Sequence, residues 1–199
     1  MPSRRPRRYC AVMFGSSFNP PLAMPLTLMT QTLVIQGNLV TRMRRITDVL
    51  NEPGAEHLML SDATFMELGS RRVIAGPAVA QVQLDDILFV HSNGPLEAGS
   101  SENRTSKQAV RATLLVAPFT IECQIHLGYE PDVSTALDGV NGRFVPVTAA
   151  RYWAYSVAES PNYVDLIVVC RLKTHIVVPA NVEWRTEMAP ERGGGSNPW

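Results

Sequence analysis

An internal repeat constrains the fold of this chain more than any other feature of its sequence. Residues 26–35 align with residues 112–121 at a spacing of 86. After a one-residue shift, residues 46–65 align with 133–152 at a spacing of 87, and after another, residues 82–90 align with 170–178. Apolar positions that recur at a nearly constant spacing indicate a duplicated folding unit. The sequence therefore predicts two tandem copies, at 27–92 and 109–179.

Both copies show the same pattern of predicted elements. A strand with alternating apolar residues leads into a short helix, which we expect at 46–51 and 133–138. Asp132 is placed to cap the second helix at its N-terminus, and Gly54 and Gly139 lie where the helices should end. A second strand is predicted at 57–61 and 143–148, a third from Ala63 and Ala150, and a final hairpin at 85–86 and 173–174.

Short strands, frequent turn residues and one brief helix per copy are typical of small β-barrels or sandwiches. The predicted fold class is mainly β, with two tandem barrel-like or sandwich-like repeats. The expected organisation is a Pro/Arg-rich N-terminal arm (1–26), repeat 1 (27–92), a polar Gly/Ser-containing linker (93–108), repeat 2 (109–179) and a C-terminal tail (180–199).

Three motifs in repeat 1 carry a resemblance to a known family. They are Ile35-Gln-Gly-Asn-Leu39, Ile46-Thr-Asp-Val-Leu-Asn51 and Leu58-Met-Leu-Ser-Asp-Ala63. This order of I-x-G-x-L, D-x-L-N and L-x-D-A resembles a family of small bacterial domains of unknown function. The resemblance covers most of repeat 1, and repeat 2 keeps the spacing with different polar residues. It implies a fold plan and no activity.

A weaker similarity is to Sm-like barrels, which have strands and a final hairpin in the same order. The resemblance implies ring formation and RNA binding through a basic loop in that hairpin. Here the first of the two hairpins contains Asp85 and Asp86. Phosphate contact requires positive charge, so this hairpin argues against RNA binding.

The chain carries equal numbers of basic and acidic residues, 18 of each, but they are unevenly distributed. Residues 1–50 contain seven Arg and one Asp, whereas residues 51–100 contain seven acidic residues and two Arg. The arginines of the first quarter are Arg4, Arg5, Arg7, Arg8, Arg42, Arg44 and Arg45. A basic arm of this kind binds nucleic acid, an anionic surface or the acidic face of another subunit.

No group of residues indicates a catalytic, metal or cofactor site. The four histidines lie more than thirty residues apart, and polar residues such as Asp48, His57 and Asp62 do not recur as such in the second copy. The three cysteines, Cys10, Cys123 and Cys170, form no motif and are expected to be buried. The sequence predicts a protein that is not an enzyme and has no cofactor.

An aromatic group in repeat 2 is a candidate contact surface. Trp153 and Tyr155 should share one face of a strand, with Tyr152 on the other. Because Trp and Tyr are favoured at interfaces, one face is expected to be core and the other a contact or packing surface. The candidate interaction residues are Arg4, Arg5, Arg7, Arg8, Tyr9, Arg42, Arg44, Arg45, Trp153, Tyr155 and Trp199.

The leading hypothesis is a non-enzymatic structural or assembly subunit whose partners are other protein subunits, in a homo-oligomer or larger complex. Two similar but non-identical domains suit heterologous contacts, and the arms and strand edges would make them. The alternative is a nucleic-acid-binding or regulatory module that uses the arginines. No apolar run has the length of a membrane-spanning helix, and the expected location is cytoplasmic.

Overall fold

The computed structural model describes residues 21–43, 45–92, 106–155 and 160–185. Its strands are β1 (Leu22–Met29), β2 (Leu33–Thr41), β3 (His57–Glu67), β4 (Val73–Ala75), β5 (Val79–Gln83), β6 (Phe89–Ser92), β7 (Gln108–Val116), β8 (Phe119–Leu127), β9 (Phe144–Ala154), β10 (Asn162–Cys170) and β11 (His175–Val177). Two short helices, α1 (Ile46–Leu50) and α2 (Val133–Asp138), follow β2 and β8. The fold is mainly β, as predicted.

All eleven strands belong to one antiparallel sheet. Its order is β11-β7-β8-β9-β10-β6-β1-β2-β3-β4, and β5 pairs with β3 beside β4. The long strand β3 pairs with β5 through residues 57–61 and with β4 near Phe65 and Met66. The β10–β6 pair joins the strands of the first half of the chain to those of the second.

Of the predicted barrel-like or sandwich-like repeats, the barrel form is wrong, because the sheet formed by the described strands is open. In a closed first barrel β6 would return to β5. Instead β6 pairs with β1 on one side and with β10 on the other. The predicted final hairpins are also wrong, because residues 84–86 and 171–173 are 3₁₀ turns between strands that pair with other partners.

The strands at the centre of the sheet are buried on both faces. Val168 lies opposite Val90, and Val169 lies opposite Phe89. Val90 and Val168 belong to one apolar core, with residues of β1, β2, β3 and β5. Phe89 and Val169 belong to a second core on the other face, with residues of β7, β8 and β9. Each half of the chain therefore completes the core of the other half, and burial of this apolar surface stabilises both.

The two helices end near the predicted residues, and they begin differently. Asp132 caps α2, because its carboxylate accepts a hydrogen bond from the Thr135 N–H at 2.9 Å. The corresponding position of α1 is Arg45, whose side chain makes no capping bond. Helix α1 is held by burial of Ile46, Val49 and Leu50 instead.

The predicted second and third strands of each copy are one continuous strand, so this part of the prediction is wrong. In β3 the register against β2 shifts between Gln36 and Asn38, next to Asp62, which has a φ of 49°. In β9 the register against β8 shifts between Glu122 and Gln124, next to Ala149, which has a φ of 48°. Each strand thus contains a β-bulge, which bends the strand without ending it.

Candidate interaction surfaces

The short outer strands of the sheet and the strands next to them carry exposed apolar side chains. On the first half these are Val73 and Ile74 of β4, Met59 of β3 and Val79 of β5, with Val79 61% exposed. At the opposite end of the sheet, Val177 of β11 and Leu115 of β7 are also exposed. Strand edges with exposed apolar residues are places where another strand can add to a sheet.

The junction between the halves is reinforced by polar contacts beside the β10–β6 pair. The Asn51 side chain accepts a hydrogen bond from the Phe144 N–H at 2.9 Å and donates one to the Phe144 carbonyl at 2.8 Å. Arg143 also forms an ion pair with Asp85 of the first half at 2.5 Å. Side chains from the first half thus fix the start of β9 in the second.

The aromatic residues of β9, and Tyr155 directly after the strand, lie on the faces that alternation predicts. Tyr152 and Ala154 are buried, whereas Trp153 is half-buried and Tyr155 is 61% exposed. Arg151 lies on the same face as Trp153, with its guanidinium 5.7 Å from the Trp153 ring centroid, and it forms an ion pair with Glu122 of β8. Tyr163 of β10, which is opposite Arg151 in the sheet, is 74% exposed. The outer face of β8, β9 and β10 therefore presents aromatic rings around a paired arginine.

The predicted arginine cluster falls mostly outside the described part of the chain. Arg4, Arg5, Arg7, Arg8, Tyr9, Arg44 and Trp199 lie outside the described residues. Arg42 and Arg45 are described, and both are exposed next to the start of α1. That these arginines act together as one basic surface therefore stays a prediction.

A groove of about 900 Å³ lies between the start of β7 and the segment after β11. Lys107, Arg111 and Arg185 line it together with Glu183 and Tyr129. Its wall is held in place by the Gln108 side chain, which donates to the Arg185 carbonyl at 2.9 Å, and by Trp184, which donates to the Glu130 carbonyl. The lining is basic and open to solvent.

The titratable side chains are dispersed. Within the residues that the structure describes, no three His, Cys, Asp or Glu side chains are grouped as a metal site would require. Cys123 and Cys170 are free and buried, and burial raises the pKa of the Cys123 thiol to about 12. A thiol with so high a pKa is a poor nucleophile at neutral pH, so Cys123 acts as a core residue.

Burial lowers the pKa of His91 below its usual value of 6.5. Its imidazole lies at the rim of the second core, 3.4 Å from the Tyr152 hydroxyl. Burial and nearby Lys107 lower the pKa of His126 in the same direction. The unfolded chain therefore binds protons more readily than the folded one below about pH 6.5, and the free energy of unfolding decreases as the pH falls.

We expect the urea midpoint to fall on going from about pH 7.5 to about pH 5, and to fall less in His91→Gln than in the wild type. The matched control is His57→Gln at an exposed histidine of β3, which should retain the wild-type decrease. An equal decrease in the wild type and His91→Gln would contradict the assignment of acid sensitivity to His91.

Searches of protein-family models, of curated proteins and of solved structures find no match to this chain. Across the described ranges, no helix has both the length and the apolar character needed to cross a membrane.

Sequence reasoning missed the joining of the halves through β10 and β6 and the contact of Asn51 with Phe144. One signal was available for each. Residues 166–170 form an uninterrupted apolar run, which is typical of a strand buried on both faces. Asn51 and Asp138 lie at matched positions and are both polar in the two copies.

Proposed function

We propose that this chain is a non-enzymatic assembly subunit, built from two duplicated β units, that makes protein contacts through its outer strand edges and its terminal arms. The observation that carries the proposal is the β10–β6 pair. In this pair the two halves associate by pairing one strand edge with another. The sheet has two further edges, formed by β4 and β5 at one end and by β11 at the other.

Matching irregularities support the duplication. The bulges of β3 and β9 lie at corresponding places, with Asp62 and Ala149 at a spacing of 87 and with nearly equal φ values. The turn after β5 begins where the Leu84 N–H donates to the Glu56 carbonyl, and the turn after β10 begins where the Arg171 N–H donates to the Arg143 carbonyl. Leu84 and Arg171 are 87 residues apart, and so are Glu56 and Arg143. For β5 and β10 the structure therefore favours a spacing of 87 over the spacing of 88 at which residues 82–90 align with 170–178.

The two halves offer unlike surfaces to a partner, which is the requirement for heterologous contacts. The first half ends in β4 and β5, and the second half ends in β11. A partner that pairs with one outer edge leaves the other available, so contacts of this type continue from subunit to subunit until a ring closes or a filament extends. The predicted arms span 1–26 and 180–199, and β1 already begins at Leu22. We assign the parts of the arms outside the described residues, 1–20 and 186–199, to contacts with neighbouring subunits.

The proposal predicts that the purified full chain scatters light as a particle larger than one chain, at both low and high salt, with the absorbance ratio of protein free of nucleic acid. Removing residues 1–20 should reduce the assembled mass and leave the sheet folded, because β1 begins at Leu22. A monomer at every concentration would overturn the proposal.

The alternative function, nucleic-acid binding through the exposed Arg42 and Arg45 and the N-terminal arginines, gives a different outcome. In that case the particle would carry nucleic acid, and its mass would fall steeply as salt rises, because counterion release dominates such binding. The basic groove lined by Lys107, Arg111 and Arg185 is the described feature that favours this alternative.

A further inference from the structure

We propose that the partner of the β5 edge is a second copy of this chain, which pairs its β11 strand antiparallel to β5. This inference rests on the proposed function, because it specifies how one subunit meets the next. It commits to a second copy as occupant because the chain already contains the same contact once, between β10 and β6.

The internal contact provides the template. In it, Val168 pairs with Val90, Val169 pairs with Phe89, and the Cys170 N–H donates to the Leu88 carbonyl at 2.8 Å. Strand β10 contributes the edge that faces away from β9, and β6 contributes the edge that faces away from β1.

The outer strands are the counterparts of these two strands. Val82 of β5 pairs with Leu58, and Val169 of β10 pairs with Val145. The residues of the second pair lie 87 positions after the corresponding residues of the first. Val90 of β6 pairs with Leu28, and Ile176 of β11 pairs with Leu114. The residues of the second pair lie 86 positions after the corresponding residues of the first. β5 is thus to the first half what β10 is to the second, and β11 corresponds to β6.

Transferring the template to the outer edges gives a defined register. Gln81 of one copy lies opposite Ile176 of the next, and Val82 lies opposite His175. The Gln83 N–H donates to the Thr174 carbonyl of the next copy, in place of the Cys170 N–H that donates to the Leu88 carbonyl. Each copy has one β5 edge and one β11 edge, so the contact is head to tail.

The main chain of β5 is oriented for this pairing. The Leu84 N–H donates to the Glu56 carbonyl, and the Ala78 carbonyl accepts from the Asp62 N–H, so residues 78 and 84 direct their main-chain groups toward β3. Because these groups alternate along a strand, those of Gln81 and Gln83 point away from β3. In the part of the chain that the structure describes, β3 is the only strand that β5 pairs with.

The side chains predict a reversible contact. The inner junction has Val168, Cys170 and Phe89 where the outer edges have Gln81, Gln83 and His175. The apolar residues of the inner junction are fully buried in the cores. Polar residues at the outer edges permit exposure to water between encounters, so main-chain hydrogen bonds supply most of the affinity.

The first test compares Gln81→Pro with Gln81→Thr in the full chain, by light scattering over a range of concentrations. Proline removes the outward N–H and is tolerated on the outer side of an edge strand, whereas threonine keeps the N–H. We expect Gln81→Pro to weaken self-association at least about tenfold and Gln81→Thr to change it by less than about twofold. Circular dichroism establishes that both variants are folded.

The second test fixes the register by crosslinking and does not depend on the proline variant. A Gln83→Cys chain is mixed with a Thr174→Cys chain, both with Cys10→Ser, and disulfide formation between chains is followed. The control mixes Gln83→Cys with Val177→Cys, which lies on the same edge out of register. We expect the in-register pair to crosslink at least about tenfold faster, because Cα atoms of directly opposed residues lie within disulfide reach.

The outcomes separate this inference from the proposed function. An assembled wild type that is unaffected by Gln81→Pro, or equal crosslinking of both cysteine pairs, would overturn the β5–β11 contact and leave assembly standing. A wild type that stays monomeric at all concentrations would overturn both. Loss of assembly in Gln81→Pro with in-register crosslinking would support both.

Discussion

Replacing Phe89 with Ala should lower the free energy of unfolding by about 3–5 kcal/mol, the usual cost of removing a large buried aromatic ring. Phe89 is fully buried, and its ring lies edge-on, 5.0 Å from the ring centroids of both Phe119 and Tyr152. These two partners belong to the second half of the chain, whereas Phe89 lies on β6 of the first half. The ring therefore fills a core that is built mainly by residues of the other half.

Because each core is completed by the other half, both halves should lose stability together. We expect a single urea transition in the wild type and in Phe89→Ala, with the same midpoint by circular dichroism and by tryptophan fluorescence. Phe65→Ala is the size-matched control, since the half-buried Phe65 ring packs at the edge of the first core and should cost less. Two separate transitions, with only one shifted by Phe89→Ala, would contradict a shared core.

The elements of this fold could be predicted where local chemistry decides them. The alternation in β8, the apolar face of α1 and the cap at Asp132 are encoded within a few neighbouring residues, and the structure contains all three. The bulge at Ala149 could not be predicted, because alanine rarely adopts positive φ and gives no signal for it. Context from the neighbouring strand imposes this conformation.

The pairing of strands was harder to predict than their existence. The sequence of an apolar strand such as β6 does not specify which strand pairs with its second edge. The same alternation of side chains is compatible with a closed barrel and with an open sheet. The choice is made by packing over both faces, since Phe89 and Val90 each find a complete core only when β10 lies beside them. Long-range burial thus overrides the local pattern.

The candidate surfaces also include some that local sequence predicts and some that depend on strand pairing. Alternation in β9 correctly separated the buried Tyr152 from the half-buried Trp153, because a strand's period of two is a local property. The outer edges of β5 and β11 follow from the order of the sheet, which a single sequence does not contain. The arms, which sequence reasoning emphasised, remain a prediction outside the described residues.

Replacing Asn51 with Ala should destabilise the fold by about 2–4 kcal/mol, because it leaves the Phe144 N–H and carbonyl without their side-chain partner. Asn51 acts as an extra strand residue at the start of β9. Its side chain accepts a hydrogen bond from the Phe144 N–H at 2.9 Å and donates one to the Phe144 carbonyl at 2.8 Å. It also donates to the Thr47 carbonyl at 3.0 Å. Gly142, with a φ of 96°, allows the close approach, since a Cβ there would lie 3.2 Å from the Asn51 Oδ1 atom.

Two further variants separate the contact from the residue's general effect on α1. Asn51→Asp keeps the acceptor for the Phe144 N–H but places a carboxylate oxygen against the Phe144 and Thr47 carbonyls in place of the donor, so it should also be less stable than the wild type. Asn181→Ala, at an exposed asparagine, should leave the urea midpoint within experimental error. Hydrogen exchange of the Phe144 amide gives a local readout and should accelerate in Asn51→Ala. An unchanged exchange rate with an unchanged midpoint would show that β9 starts where it does through burial of Phe144 alone, and that the polar contact follows the junction instead of fixing it.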